Sequence, residues 1–164
     1  MILYNAIRSN GALVTTIDFM TIIAGATRSL LIVELDFEGD GTASAYNEIG
    51  VYRVTTAGAG AAPTAVVPGT TEQPNMTGTT PALAFSGLVY IGAAGYATTQ
   101  PVINAVPFHT IPINANGQRY FWRANANLNN AFTVSGGNNA AASISFRSLS
   151  GTSNVSGRVG ILEL

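Results

Sequence analysis

The chain has 164 residues, a length that suits one domain with a full hydrophobic core. Charged residues make up only 9% of it, against roughly 25% in ordinary soluble domains, and the net charge of −1 gives no basic field for nucleic acid. The chain lacks cysteine, which excludes disulfides and thiolate metal sites, and no apolar stretch reaches the roughly 18 residues of a membrane helix. We therefore expect no nucleic-acid and no membrane partner, and a surface that copies of the chain or a larger assembly cover.

The N-terminal part predicts an extended start to a β domain. Residues 1–10 are interpreted as an arm or a short edge strand, and residues 11–164 as a single β-sandwich domain. Residues 12–19 are rich in β-forming side chains and predict a strand. Residues 22–26 predict the end of a strand or a bulge.

Residues 28–54 are the stretch around which the rest of the chain is organised. A continuous apolar run passes into strict alternation, which predicts a strand buried on both faces at its start and on one face at its end. Gly39, Asp40 and Gly41 then supply a turn, and a second strand follows through Tyr52. We interpret the stretch as a hairpin.

The middle of the chain changes in composition. Residues 55–81 consist mostly of Ala, Gly, Thr and Pro and predict a long loop, with an edge strand over residues 64–67. Residues 82–91 predict a strand with a bulge at Gly87. Residues 102–114 are extended, and Pro107 and Pro112 place them at a sheet edge, because proline cannot donate to a ladder. Asn116 and Gly117 indicate a turn.

The most aromatic strand is predicted over residues 118–124. Alternation places Tyr120 and Trp122 on one face, and Arg119, Phe121 and Arg123 on the other. Further strands are predicted over residues 131–134, 142–149 and 155–164. With about eight main strands and turn signals between them, the sequence predicts an all-β fold, a sandwich or a barrel of antiparallel strands.

No residue group has the pattern of a catalytic or cofactor site. His109 is the only histidine and has no cysteine to accompany it, so we interpret it as structural. Weak candidates for a metal site are Asp36, Glu38 and Asp40, because oxygen ligands at alternate positions can converge on a hard cation. The favoured interpretation is that these are solvated turn charges.

Arg119, Arg123 and the aromatic residues between them have two interpretations. They are typical of a platform on which a sugar or a base stacks. The favoured alternative is a core strand that carries arginines at its edge.

The order of these features resembles a known class of virion protein. The features are an apolar strand, a strand containing Ile49, Gly50, Val51 and Tyr52, the Gly/Ala/Thr/Pro loop, a proline-containing strand, an aromatic strand after Asn-Gly, and a hydrophobic C-terminal strand. In this order the chain resembles the jelly-roll decoration (cement) proteins and head appendages of tailed bacteriophages. The resemblance implies a jelly-roll β-sandwich that is often a homotrimer, sits on the capsid exterior, binds junctions of the major capsid protein and stabilises the shell without catalysis or a cofactor.

We expect the N-terminal arm and the long loop to make the contacts with the shell. The residues expected to bind the partner are Met1, Ile2, Leu3, Tyr4, Val66 and Val67. Under this hypothesis, deletion of residues 1–10 leaves a folded domain and weakens shell binding.

Two other functions remain open. A receptor- or glycan-binding knob of a phage fibre or tail uses the same sandwich, and Tyr46, Tyr90 and Tyr96 near turns favour it. A cupin-type enzyme shares the double-sheet architecture but needs several histidines to hold its metal, and the chain has one.

Overall fold

The computed structural model describes residues 2–56, 58, 87–91, 100–137 and 142–164, and these form strands without a regular helix. The eleven strands are β1 (Ile2–Ala12), β2 (Asp18–Ile23), β3 (Leu30–Asp40), β4 (Tyr46–Thr56), β5 (Leu88–Ile91), β6 (Val102–Ile103), β7 (His109–Asn114), β8 (Asn116–Arg123), β9 (Phe132–Val134), β10 (Ser143–Ser150) and β11 (Asn154–Glu163). In this part of the chain, no helix is long and apolar enough to cross a membrane.

The strands form two antiparallel sheets. The first sheet has the order β1-β11-β3-β8, and the short β9 pairs with the start of β3, at Leu30–Ile32. The second sheet has the order β5-β2-β10-β4-β6, and β7 also pairs with β4. The short strands β5, β6 and β9 can be set aside and the eight main strands counted from 1 to 8 along the chain. Their order is then 1-8-3-6 in one sheet and 2-7-4-5 in the other. This is the jelly-roll arrangement of a β-sandwich. The strand pattern of the sequence predicts a sandwich or a barrel, and the resemblance implies the jelly roll.

Aromatic rings from both sheets form the centre of the core. The Phe37 ring of β3 lies 6.0 Å from that of Phe19 and 5.8 Å from that of Phe146, which belong to β2 and β10 of the second sheet. All three side chains are buried. Because each buried ring removes a large apolar area from water, these contacts hold the two sheets face to face.

The predicted hairpin of β3 and β4 is wrong. β3 pairs with β11, β8 and β9 in the first sheet, whereas β4 pairs with β10, β6 and β7 in the second. Residues 41–45 therefore cross between the sheets. Each strand has one strongly apolar face, and stacking those faces across the core buries both, which pairing side by side does not achieve.

The strand predicted over residues 12–19 is also wrong. β1 ends at Ala12 and β2 begins at Asp18, and between them Val14 and Ile17 form an isolated bridge in a tight turn. The Ile17 amide donates to the Val14 carbonyl at 3.2 Å. The turn carries the chain from the first sheet to the second, so the tertiary arrangement overrides the β-forming tendency of these residues.

The N-terminal segment is the edge strand of the first sheet, one of the two forms that its sequence predicted. β1 pairs with β11 from Ile2 opposite Glu163 to Arg8 opposite Gly157, with a register shift before Gly11. The side chains of Tyr4 and Ala6 are buried in the core. The buried Tyr4 therefore does not present the partner-binding side chain that the sequence suggested.

The remaining strands begin or end at residues that differ from the predicted ones. Residues 102–114 contain two strands, β6 and β7, that lie end to end along β4, and Pro112 is exposed. The chain passes from β7 to β8 through the single residue Ala115, just before the predicted turn. The predicted edge strand at residues 64–67 lies outside the described residues, as do residues 59–81 of the long loop and residues 82–86 of the strand predicted before Gly87.

Candidate interaction surfaces

The outer face of the first sheet holds a concentration of charge. The chain has seven basic and eight acidic residues, and three of each lie here. Because Leu35 and Phe37 of β3 point into the core, the residues between and beside them point outward. We define the charged face as Ile7 of β1, Glu34, Asp36 and Glu38 of β3, Arg119, Phe121 and Arg123 of β8, and Ser156 and Arg158 of β11.

A bidentate ion pair joins β8 to β3 on the charged face. Arg119 donates from Nε to Oδ1 of Asp36 and from Nη2 to Oδ2, each at 2.6 Å. The hydrogen bond from Arg119, together with the positive charges of Arg119 and Arg158, lowers the pKa of Asp36 below its usual value. Asp36 is therefore ionised throughout the neutral range, and its two oxygens are fixed in direction.

The second acidic residue of the face links three strands. Arg123 donates from Nε and Nη2 to Oε2 of Glu34 at 2.9 and 2.6 Å. Arg158 of β11 donates from Nη2 to Oε1 of Glu34 and also lies 3.4 Å from Oδ2 of Asp36. The Glu34 side chain is only 6% exposed, so removal of either arginine partner leaves a carboxylate poorly solvated.

The three weak metal candidates do not converge on a common point. Asp36 is held by arginines, Asp40 accepts a hydrogen bond from the Ser156 hydroxyl at 2.6 Å, and Glu38 points to solvent. A register shift lies between Glu38 and Asp40, so the even spacing in the sequence is not kept in space. The described residues contain no cluster of three or more potential metal ligands.

Phe121 lies between Arg119 and Arg123 in β8, the strand at one edge of the first sheet. The structure confirms the predicted alternation in β8, because Tyr120 and Trp122 pack against the core while Phe121 points outward. Its side chain is 52% exposed, and the guanidinium carbons of Arg119 and Arg123 each lie 5.9 Å from its ring centroid. Since an exposed phenylalanine gains nothing from core packing, its position suits contact with something outside the chain.

A second surface lies at one edge of the sandwich, where β6 and β7 of the second sheet face β8 and β9 of the first. We define the aromatic edge as Val102, Val106, Phe108, His109, Tyr120, Trp122 and Phe132. The Trp122 and Phe132 rings stack at 4.6 Å, and the Phe108 ring meets Phe132 edge-on at 5.1 Å. These rings join the two sheets outside the central core.

His109 lies within the aromatic edge. Its Nε2 is 2.8 Å from the Tyr120 hydroxyl, and its ring lies 5.2 Å from that of Phe132. Burial lowers the pKa of His109, so the imidazole is neutral at physiological pH. Hydrogen bonding and ring packing account for this residue, in line with a structural role.

The outer part of the aromatic edge is exposed and apolar. Val102, Val106 and Phe108 all lie within residues 102–108 and are exposed; Val106 reaches 75%. Arg53 holds this segment, since its guanidinium carbon is 5.5 Å from the Phe108 ring centroid and its Nη1 donates to the Thr133 carbonyl at 2.7 Å. The sequence does not distinguish this surface, because the same residues satisfy the pattern of an edge strand.

No family model, curated protein or solved structure matches the chain. The two surfaces therefore have to be interpreted from their own geometry. Of the residues predicted to bind a partner, Ile2 and Leu3 lie in β1, Tyr4 is buried, and Met1, Val66 and Val67 lie outside the described residues.

Proposed function

We propose that the protein is a non-enzymatic structural protein of a virion, a capsid decoration (cement) protein of a tailed bacteriophage. In this proposal it binds as a homotrimer to the outside of the shell, at junctions of the major capsid protein, and stabilises the shell. Two features support it: the jelly-roll β-sandwich that the resemblance implied, and the scarcity of charge outside the charged face.

The observation that carries the proposal is the aromatic edge. Val102, Val106 and Phe108 expose apolar side chains within a segment of seven residues, and the Phe108 ring packs against the Phe132 ring at its base. Exposed apolar surface of this kind is typical of contacts with another protein. We therefore assign the shell contact to the aromatic edge instead of the N-terminal segment.

The stabilising effect follows from mass action. Burying apolar area against the shell releases about 25 cal/mol for each Å² removed from water. A protein that binds the assembled shell and not its separated subunits shifts the equilibrium toward the assembled state. This mechanism requires no reaction and no cofactor.

The test uses virions that carry Val106→Asp. Val106 is 75% exposed, so the substitution leaves the fold intact but places an unpaired charge in the proposed contact. We expect gradient-purified variant virions to retain at least tenfold less of this chain than wild-type virions, measured by quantitative mass spectrometry, and to release their DNA at a lower temperature.

Leu149→Asp is the matched control. Leu149 is an exposed apolar residue of β10, at 39%, outside the aromatic edge. Virions with this variant should retain the wild-type amount of the chain. Equal retention of all three proteins, with both purified variants folded by circular dichroism, would exclude the aromatic edge as the shell contact.

A further inference from the structure

We propose that the charged face binds a neutral saccharide chain, with Phe121 as the ring on which a sugar stacks and Arg119 and Arg123 as hydrogen-bond donors. This activity goes beyond shell binding and does not depend on it. The charged face and the aromatic edge use opposite sides of β8, because neighbouring residues of a strand point to opposite faces.

The setting of Phe121 suits a stacked ligand. Its exposed ring lies in β8 between two arginines, whose guanidinium carbons each lie over the ring at 5.9 Å from its centroid. The ring presents an apolar surface within a field of hydrogen-bonding groups. A sugar ring has the complementary form, with an apolar C–H face and hydroxyls around its rim.

The face carries no net charge. Arg119, Arg123 and Arg158 balance Glu34, Asp36 and Glu38. Two residues at its border, Asp40 next to Ser156 and Arg8 near Arg119, add one charge of each sign, so no excess field attracts a polyanion or a polycation. A nucleic acid or an acidic polymer is therefore a poor fit. The binding of an uncharged ligand does not depend on a net charge of the face.

The ion pairs of Arg119 and Arg123 fix the direction of the guanidinium groups but do not use all of their donors. Arg119 and Arg123 each donate to a carboxylate through Nε and Nη2. Within the described part of the chain, Nη1 of either residue makes no hydrogen bond. These donors are held in place before a ligand arrives, which lowers the entropic cost of binding.

The surface has a depression on each side of Phe121, one beside Arg119 and one beside Arg123. A depression of about 260 Å³ lies at the Arg119 end, lined by Asp36, Glu38 and Ser156 among others. A second, of about 310 Å³, lies at the Arg123 end, between Asn125, Leu128 and Leu162. Arg119 and Arg123 are four residues apart on one strand, about 13 Å. A site of this length and openness suits an extended oligomer better than one small ring.

The experiment is binding of the whole purified protein to a glycan array that holds neutral hexose oligomers together with sialylated and sulfated ones. We expect binding to at least one neutral oligomer, unchanged between roughly 0.05 and 0.5 M salt. Phe121→Ala should weaken that binding at least tenfold, as measured by calorimetry with the neutral oligomer that binds on the array.

Phe108→Ala is the matched control, since Phe108 is also an exposed phenylalanine but belongs to the aromatic edge. It should leave the saccharide affinity within twofold of the wild type. Three results would each overturn the proposal: no binding to any neutral oligomer, binding to acidic oligomers alone, or a Phe121→Ala protein that binds like the wild type. None of them bears on the Val106→Asp virions, so the two proposals fail separately.

Discussion

At the scale of residues, Asp36 holds the arginine side chains of the charged face in position. It receives both donors of Arg119 and stands near Arg158, so it fixes side chains of the strands on both sides of β3. The side chain contributes through charge and direction, because Asp36 has arginine partners in place of apolar contacts. Its loss should therefore change how the free energy of unfolding depends on pH.

Asp36→Asn tests this role. The Arg119 hydrogen bond holds the pKa of Asp36 below its usual value of 3.8, so the native state favours the ionised form. The stabilisation is present above pH 3.8 and is lost as the pH falls through the lower native pKa. We expect Asp36→Asn to lower the free energy of unfolding at neutral pH, and the difference from the wild type to disappear in strong acid. Urea unfolding followed by the fluorescence of Trp122 measures both.

Glu38→Gln is the control for Asp36→Asn. Glu38 lies two residues further along the same face, points to solvent and has no hydrogen bond among the described residues. Its removal should leave the pH profile close to that of the wild type. A profile of Asp36→Asn that runs parallel to the wild type down to low pH would contradict the assigned role.

The direction of single side chains was predictable from the sequence, whereas their partners were not. In β8, Tyr120 and Trp122 point inward and Phe121 outward, because alternation depends only on neighbouring residues. The pair of Arg119 with Asp36 joins residues 83 positions apart, and that of Arg158 with Asp36 joins residues 122 apart. Such pairs depend on the register between strands, which local patterns do not contain.

At the scale of elements, β1 shows how an unremarkable segment becomes essential. Its sequence reads as an arm or a short edge strand, and it lies at the edge of the first sheet, where it pairs with β11 over most of its length and buries Tyr4 and Ala6. Without it, the inner face of β11 beside Val159 and Ile161 would be open to water. The strand therefore closes one side of the sandwich.

Deletion of residues 1–10 tests the role of β1. We expect the shortened chain to lose its cooperative thermal unfolding transition, followed by near-ultraviolet circular dichroism. The milder Tyr4→Ala should fold and lose about 3–5 kcal/mol of stability, the usual cost of removing a buried aromatic side chain. A shortened chain that unfolds at the wild-type temperature would show that β1 is dispensable, as the sequence had suggested.

The strands themselves were largely predictable, but their assignment to sheets was not. The glycines and Asp40 after β3 correctly indicated that the strand ends. They gave no indication that the next strand lies across the core, since a turn of this composition serves a hairpin and a crossover equally. The deciding factor is the burial of Phe37 against Phe19 and Phe146 of the opposite sheet, a contact between distant residues.

At the scale of the whole molecule, the distribution of charge separates two surfaces. The charged face holds a large share of the few ionised side chains, paired with one another, while the aromatic edge exposes apolar ones. A molecule of this kind can hold one side against a shell and turn another to solvent. The low charge of the composition predicts a covered surface, and the fold shows which apolar residues are exposed.

The proposed function makes this chain part of a virion, and electron cryomicroscopy of the purified virions tests it most directly. We expect density for the jelly-roll sandwich on the outside of the shell, in three copies around junctions of the major capsid protein, with the aromatic edge against the shell. Density on a fibre or tail would contradict the decoration role and favour the receptor-binding alternative. Virions that contain none of this chain would contradict a structural role in the particle altogether.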